Sequence, residues 1–287
     1  MQNNQTKQAI TALGREMGPP VLEALRSIFA QEQLLLVKAQ PAIATDVAYG
    51  QHERQVLDIY ASASSHAQLK PVVVFVHGGG FLKGDKGSNQ DWYNSNVGRF
   101  AAREGYIGVV MNYRLAPEFM WPSGGEDVAA VVNWLKSNVA QYGGDPSQII
   151  LIGTSAGAVH VATYHQHNSE ESAIKGLVLL SGLYGVTPLD ERDTLYYGPQ
   201  ADYAAKHPLS ALVNSTTPLM MACTEYDPPR FQAEFVGLAQ ARITQQGELP
   251  ACMVLSGHNH YSIASHLGTS DTRLSDEILG FISKVCA

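Results

Sequence analysis

Apolar residues along this chain fall into two alternating patterns. Short, strongly apolar runs recur at Val56–Tyr60, Val72–Val76, Ile107–Asn112, Ile149–Ile152, Leu177–Ser181, Leu219–Thr224 and Cys252–Ser256. Runs this short and this rich in β-branched residues predict strands, most of them buried on both faces. Between most of them the apolar positions are three and four apart. From Glu126 to Tyr142, the residues Val128, Val131, Val132, Leu135 and Val139 form one stripe, and Gly143-Gly144 closes it. That is an amphipathic helix with a glycine end. Leu274, Ile278, Phe281, Ile282 and Val285, following Ser275-Asp276-Glu277, predict a last helix packed on the sheet. Strands alternating with helices mean βαβ units and a mostly parallel sheet flanked by helices, an α/β fold.

Two segments depart from the alternation. Residues 1–44 hold Pro19-Pro20 followed by Val21, Leu22, Leu25, Ile28 and Phe29 at helical spacing, which predicts an N-terminal helical extension. It can serve either to cover an edge of the core or to cap an active site. Residues 183–215 form an irregular insertion rich in Tyr and Pro, expected to line a pocket. No repeat, low-complexity tract or linker separates a further unit, so residues 45–287 read as one catalytic-sized domain.

Composition narrows the function classes. With 19 Lys and Arg against 26 Asp and Glu, and the cations scattered, there is no basic footprint for nucleic acid. The longest apolar runs are too short for a membrane span. The first residues, Met-Gln-Asn-Asn-Gln-Thr, lack the apolar centre of a secretory signal. Cys223, Cys252 and Cys286, odd in number and far apart, read as reduced thiols, so a cytoplasmic protein is expected. The expected partner is a small molecule, with a homodimer left open.

The chemistry concentrates in three places. Gln148-Ile-Ile-Leu-Ile-Gly-Thr-Ser-Ala-Gly157 runs from a strand through G-x-S-x-G into an apolar helical segment. This is the context of a nucleophile elbow, in which Ser155 is raised above the sheet on a turn too tight for a side chain at Gly153 or Gly157. A serine needs a general base, an acid to orient the base, and donors for the developing oxyanion. His77-Gly78-Gly79-Gly80-Phe81 follows a strand, and its glycines free the backbone to aim N–H groups inward. Gly79, Gly80 and Ala156 are the candidate donors, and His77 is expected to be a structural hydrogen-bonding residue.

The acid and base lie past the last two strands, where parallel sheets place their sites. Glu225 and Asp227 compete as acid; Tyr226-Asp-Pro-Pro229 ends its strand and turns the chain, which favours Asp227. His258 and His260 compete as base; His260 lies further out, just before the helix-like Tyr261-Ser-Ile-Ala264, from which its ring can lean back over the sheet. His258 is then left beside the pocket. Phe81, Trp92, Tyr184 and Tyr261 are candidate substrate-binding residues, and Tyr93, Trp121, Tyr196, Tyr197 and Phe231 further wall candidates, with core packing the alternative for each. The pairs His165/His167 and His258/His260 fall in loops or helix ends without a third clustered ligand, so no metal and no cofactor are expected.

At the level of these motifs the chain resembles the hormone-sensitive-lipase-like branch of α/β-hydrolase carboxylesterases, which includes the related arylformamidases. The residues that carry the resemblance are His77-Gly-Gly-Gly-Phe81, Asn112-Tyr-Arg-Leu-Ala-Pro-Glu118, Trp121-Pro122 with Glu126-Asp127, Gly143-Gly-Asp-Pro146 and Gly153-Thr-Ser-Ala-Gly157, in order across roughly residues 45–287. The resemblance implies the α/β-hydrolase fold with a mostly parallel eight-stranded sheet, a Ser-Asp-His triad, and cofactor-free hydrolysis of short-chain esters. It supports Asp227, since relatives carry an Asp at this spacing before a Pro. It supports His260 too, since arylformamidase-like relatives carry a histidine followed by an aromatic residue, Ser or Asp, and an aliphatic one. It implies that Arg114 and Glu118 make buried polar contacts. Phe81 stands where many relatives have Trp, and Thr224 where they often have Gly, which leaves three readings: a carboxylesterase, an arylformamidase acting on N-formyl aromatic amines such as N-formylkynurenine, or a non-catalytic receptor that keeps the fold.

Overall fold

In the computed structural model, which describes residues 3–62 and 68–287, an eight-stranded sheet runs in the order β1-β2-β4-β3-β5-β6-β7-β8. The strands are β1 (Ala42–Ala48), β2 (Val56–Tyr60), β3 (Lys70–Val76), β4 (Ile107–Met111), β5 (Gly144–Thr154), β6 (Ile174–Leu180), β7 (Leu219–Tyr226) and β8 (Ala251–Asn259). β1 pairs antiparallel with β2 and β2 with β4; from β4 onward every pairing is parallel. This is the expected α/β-hydrolase fold.

Alternate residues of the apolar runs feed two cores. Val72, Val74 and Val76 of β3 join one cluster with the helices α4 (Ser123–Asn138) and α5 (Ala156–His167) and with the helix Pro229–Gln246. Val73 and Phe75 point the other way, into a cluster with α3 (Ser95–Arg103) and the final helix Arg273–Val285. Each fully buried aliphatic side chain contributes about 2 kcal/mol, and two such layers hold the strand ends in a fixed plane. Among the described residues no helix is long and apolar enough to cross a membrane. All three cysteines are free.

The extension consists of α1 (Asn4–Leu13) and α2 (Pro19–Ala39), so its helical part ends before β1 begins at Ala42. Leu25 and Phe29 of α2 are buried with Ile10 and Trp92, and the Gln33 amide donates to the carbonyls of Ser265 and Leu267, while its first turns face a cavity described below. The insertion after β6 folds into a 3-10 turn (Glu191–Asp193) and short helices at Thr194–Tyr197, Tyr203–Lys206 and Leu209–Val213. Arg114 pairs with Asp127 at 2.8 Å and Glu126 at 3.2 Å. Glu118, in contrast, is exposed and not in a buried contact; the carboxylate that meets Arg114 comes from α4 instead.

Candidate active site

Ser155 sits alone between β5 and α5 at φ 53° and ψ −121°. For a residue with a side chain this backbone costs about 1–3 kcal/mol, and close packing on both sides imposes it. A Cβ on Gly153 would meet the Gly157 carbonyl oxygen at 2.4 Å, and one on Gly157 would meet the Val76 oxygen at 2.0 Å. The turn is therefore as tight as the motif requires.

The Ser155 hydroxyl lies 2.9 Å from His260 Nε2, and His260 Nδ1 lies 2.7 Å from Asp227 Oδ1. Asp227 directly follows β7, and His260 directly follows β8. The other Asp227 oxygen accepts from the Ser181 hydroxyl at 2.6 Å and the Thr224 N–H at 2.7 Å. Burial alone would raise the carboxyl pKa, but these bonds and the His260 ring outweigh it and hold Asp227 below the usual carboxylate range. Asp227 is thus an anion with every acceptor direction on its inner side engaged, suited to orienting an imidazole and stabilising its cation.

The competing residues are occupied elsewhere. Glu225 accepts the Gly257 N–H at 2.8 Å. His258 is fully buried, with Nδ1 3.0 Å from the Ser262 hydroxyl and Nε2 3.0 Å from Asp271. His258, His266 and Asp271 bring metal-capable atoms within 4.8 Å of one another, but Arg273 contacts both Asp271 oxygens at 2.9 and 2.7 Å. The Asp271 carboxylate is therefore already neutralised, which makes this an ion-paired cluster with no open cation cradle.

Next to Ser155 runs the loop after β3. Gly79 and Gly80 take φ of 146° and 59°, where only glycine is unstrained, and a Cβ on Gly79 would meet the Lys83 carbonyl oxygen at 1.7 Å. His77 lies beneath, buried and stacked on Tyr113 with ring centres 4.4 Å apart. Burial pushes its pKa down to about 4, so it is neutral and its Nδ1–H donates to the Gly78 carbonyl at 2.7 Å. Gly79, Gly80 and Ala156 all border one cavity with Ser155 and His260. Ala156 opens α5, so its N–H points from the positive end of the helix.

That cavity measures about 690 Å³, within the range of small-molecule sites. Phe81, Leu183, Phe231 and Tyr261 give it apolar walls, and Met17 and Leu22 of the extension give it another. Five expected wall residues do not border the cavity: Trp121, Tyr196 and Tyr197 pack in a cluster behind Phe81, and Trp92 and Tyr184 lie elsewhere. Trp92 packs behind its neighbour Tyr93 against Ile10, Leu25 and Phe29, and Tyr93 takes the cavity position. Tyr184 is buried in the core over the α4–α5 face, because in this extended stretch Leu183 takes the inward direction and its neighbour points away.

Sequence reasoning missed Ser181, whose hydroxyl meets the acid, and the links made by the turn between α1 and α2. Arg15 donates to the Asp227 carbonyl at 2.9 Å, and the Gly18 N–H donates to the Tyr261 hydroxyl at 3.0 Å. Nothing in the local pattern around these residues signals such contacts, which cross 46 positions for Ser181 and more than two hundred for Arg15 and Gly18.

A family profile described as BD-FAE matches residues 57–217, more than half of the chain. The chain belongs to the BD-FAE family. The match includes the loop after β3 and the Ser155 elbow and ends before β7. Among characterised proteins the chain is similar to phenmedipham hydrolase of Pseudarthrobacter oxydans, 35% identical over 125 residues that cover 42% of this chain and 24% of that one. It is also similar to esterase LipC of Mycobacterium tuberculosis, 30% identical over 156 residues, covering 52% of this chain and 38% of the other. The chain thus spans between about a quarter and two fifths of the length of these relatives. A solved hyperthermophilic esterase from the archaeon Pyrobaculum calidifontis superimposes with a TM-score of 0.70 at 22% identity, covering 99% of both chains, a likeness of fold.

Proposed function

We propose that this BD-FAE protein is a serine carboxylesterase acting on small esters with short acyl groups. The observation that carries the reading is the unbroken chain from Ser155 through His260 to Asp227, at 2.9 and 2.7 Å, opening on a cavity beside a glycine loop. The relatives named as hydrolase and esterase favour the same chemistry.

In this mechanism Ser155 Oγ attacks the ester carbonyl carbon as its proton passes to His260 Nε2. The N–H groups of Gly79, Gly80 and Ala156 receive the oxyanion, each worth about 3 kcal/mol. Collapse breaks the C–O bond to the alcohol, which takes the proton from His260. Water then gives a proton to the same nitrogen and attacks the acyl-Ser155 carbonyl, which releases the acid and restores the serine. Asp227 keeps the ring in the tautomer that accepts on Nε2. No step calls on a cofactor.

The cavity must hold acyl and alcohol parts together, so rates on p-nitrophenyl esters are expected to fall steeply beyond about eight acyl carbons. A fluorophosphonate should label Ser155, and Ser155→Ala should lower turnover by at least about a thousandfold without shifting the thermal midpoint. Ordinary turnover by folded Ser155→Ala removes the mechanism, and a rate maximum at sixteen carbons removes the short-acyl assignment. Faster cleavage of N-formylkynurenine than of phenyl acetate would make the enzyme a formamidase.

A further inference from the structure

Four cations and four carboxylates border the cavity, but they are not paired one to one. Four carboxylates line it, Asp85, Asp91, Asp190 and Asp193, and each is engaged by the chain's own donors. Arg26 grips Asp91 with two bonds of 2.8 and 2.9 Å. Arg230 reaches Asp190 at 2.6 Å and Asp193 at 2.5 Å. Asp85 accepts the Gly87 N–H at 2.9 Å and the Asn112 amide at 2.8 Å.

Two of the cations lining the cavity are therefore matched, and two are not. Lys83 and Arg192 are exposed and have neither a hydrogen-bond nor an ion-pair partner among the described residues. Arg192 has its side chain beside Gly80. A methyl group on Gly80 would meet its Nη2 at 2.7 Å and its Cζ at 3.0 Å, so the guanidinium lies against the glycine loop. Its backbone is held: a reciprocal cap between Asp190 and Asp193 closes the 3-10 turn that carries it, and Arg230 binds the buried Asp193. Lys83 lies on the same loop, with its carbonyl oxygen packed against Gly79. A guanidinium presents paired donors that match a carboxylate in a two-pronged geometry, which an ammonium cannot do.

We infer that Arg192, assisted by Lys83, binds an anionic group of the substrate, so that the favoured esters carry a carboxylate on their acid or alcohol part. The inference rests on the esterase reading of this site and specifies its substrate class. Half-esters of dicarboxylic acids, and esters made at the phenol of a hydroxybenzoic acid whose carboxylate stays free, are the simplest members.

The test compares kcat/KM for the mono-p-nitrophenyl ester of adipic acid with p-nitrophenyl hexanoate, of equal acyl length, and for 4-acetoxybenzoate with phenyl acetate. In at least one pair Arg192→Gln should lower the anionic-to-neutral ratio by about tenfold, mainly through KM, and Arg192→Lys should lower it less. Added salt should lower the wild-type ratio. Binding of adipate to Ser155→Ala, measured by calorimetry, needs no turnover; it should weaken by about tenfold when Arg192→Gln is added. If no ester is cleaved yet adipate binding still depends on Arg192, the esterase reading fails and the anion site stands. If neither the rate ratios nor adipate binding respond to Arg192→Gln and Lys83→Gln together, the anion site is overturned.

Discussion

The hydroxyl of Ser181 donates a 2.6 Å hydrogen bond to the Asp227 carboxylate from a backbone held at φ 46°. A non-glycine residue in that conformation at the end of β6 is costly, and here it aims a hydroxyl at the carboxylate bonded to His260. Ser181→Ala removes a bond made to the charged carboxylate, so the Asp227 pKa should rise. The Asp227 charge is then lost at a higher pH than in wild type. The Asp227 carboxyl, followed by carbon-detected NMR, should titrate about one unit higher in Ser181→Ala than in wild type. An unchanged titration would show that Ser181 only fills space.

His260 and His258 lie two positions apart and should fail in different ways. His260→Ala removes the only imidazole within reach of Ser155 among the described residues, and turnover should fall by about a thousandfold or more, with some loss of stability from the buried Asp227 left without its partner. His258→Ala strips a buried partner from Asp271 and Ser262, which should cost about 2–4 kcal/mol of stability. Activity and thermal unfolding measured on both variants decide the ranking, and the opposite pattern would reassign the base.

Gly79→Ala puts a methyl group against the Lys83 carbonyl oxygen and demands φ 146° of a residue with a side chain. The loop has to shift, and its N–H groups shift with it. Turnover should fall by about a hundredfold or more, with covalent labelling of Ser155 slowed in parallel. Normal turnover in a folded Gly79→Ala protein would move the oxyanion donors elsewhere.

Buried histidines set the stability of this protein in acid. Burial lowers the pKa of His77 to about 4, and of His160 and His266 to about 3. In the unfolded chain they titrate near 6.5, so below that pH the unfolded state binds protons that the folded state refuses. Stability is complete above this value and falls as pH drops toward the folded values. At about pH 5 the three together cost roughly 6 kcal/mol, comparable to the whole stability of many domains. The thermal midpoint should decline steadily between about pH 6.5 and 4.5; a flat midpoint over that range would mean that water or backbone groups accommodate the charged rings.

Most of the strands legible in the sequence are buried on two faces: β2 to β7 stand out as apolar runs, and the edge strand β8 shows only a shorter one. β1 did not stand out: it is an edge strand of half-exposed and exposed residues, with shifts in its register to β2. The number of strands came from the resemblance and their order from the structure, since periodicity carries no information about neighbours. Ser155, Asp227 and His260 were legible because each lies just past a strand end, marked by Gly or Pro. Trp92 and Tyr184 were not, because an aromatic side chain in a loop carries no local signal of its direction. Ser181, Arg192 and Met17 reach the site only through contacts made after the chain folds.

The jaw that closes the cavity comes from chain that contributes nothing to the sheet. Met17, Pro19, Leu22 and Arg26 form one side of it, and Arg15 and Gly18 fasten that side to the backbone of Asp227 and to Tyr261. One wall of the cavity and the hydrogen-bonded chain of Ser155, His260 and Asp227 therefore come from separate stretches of sequence. Exchange of about forty amino-terminal residues would reshape that wall and leave the three side chains in place.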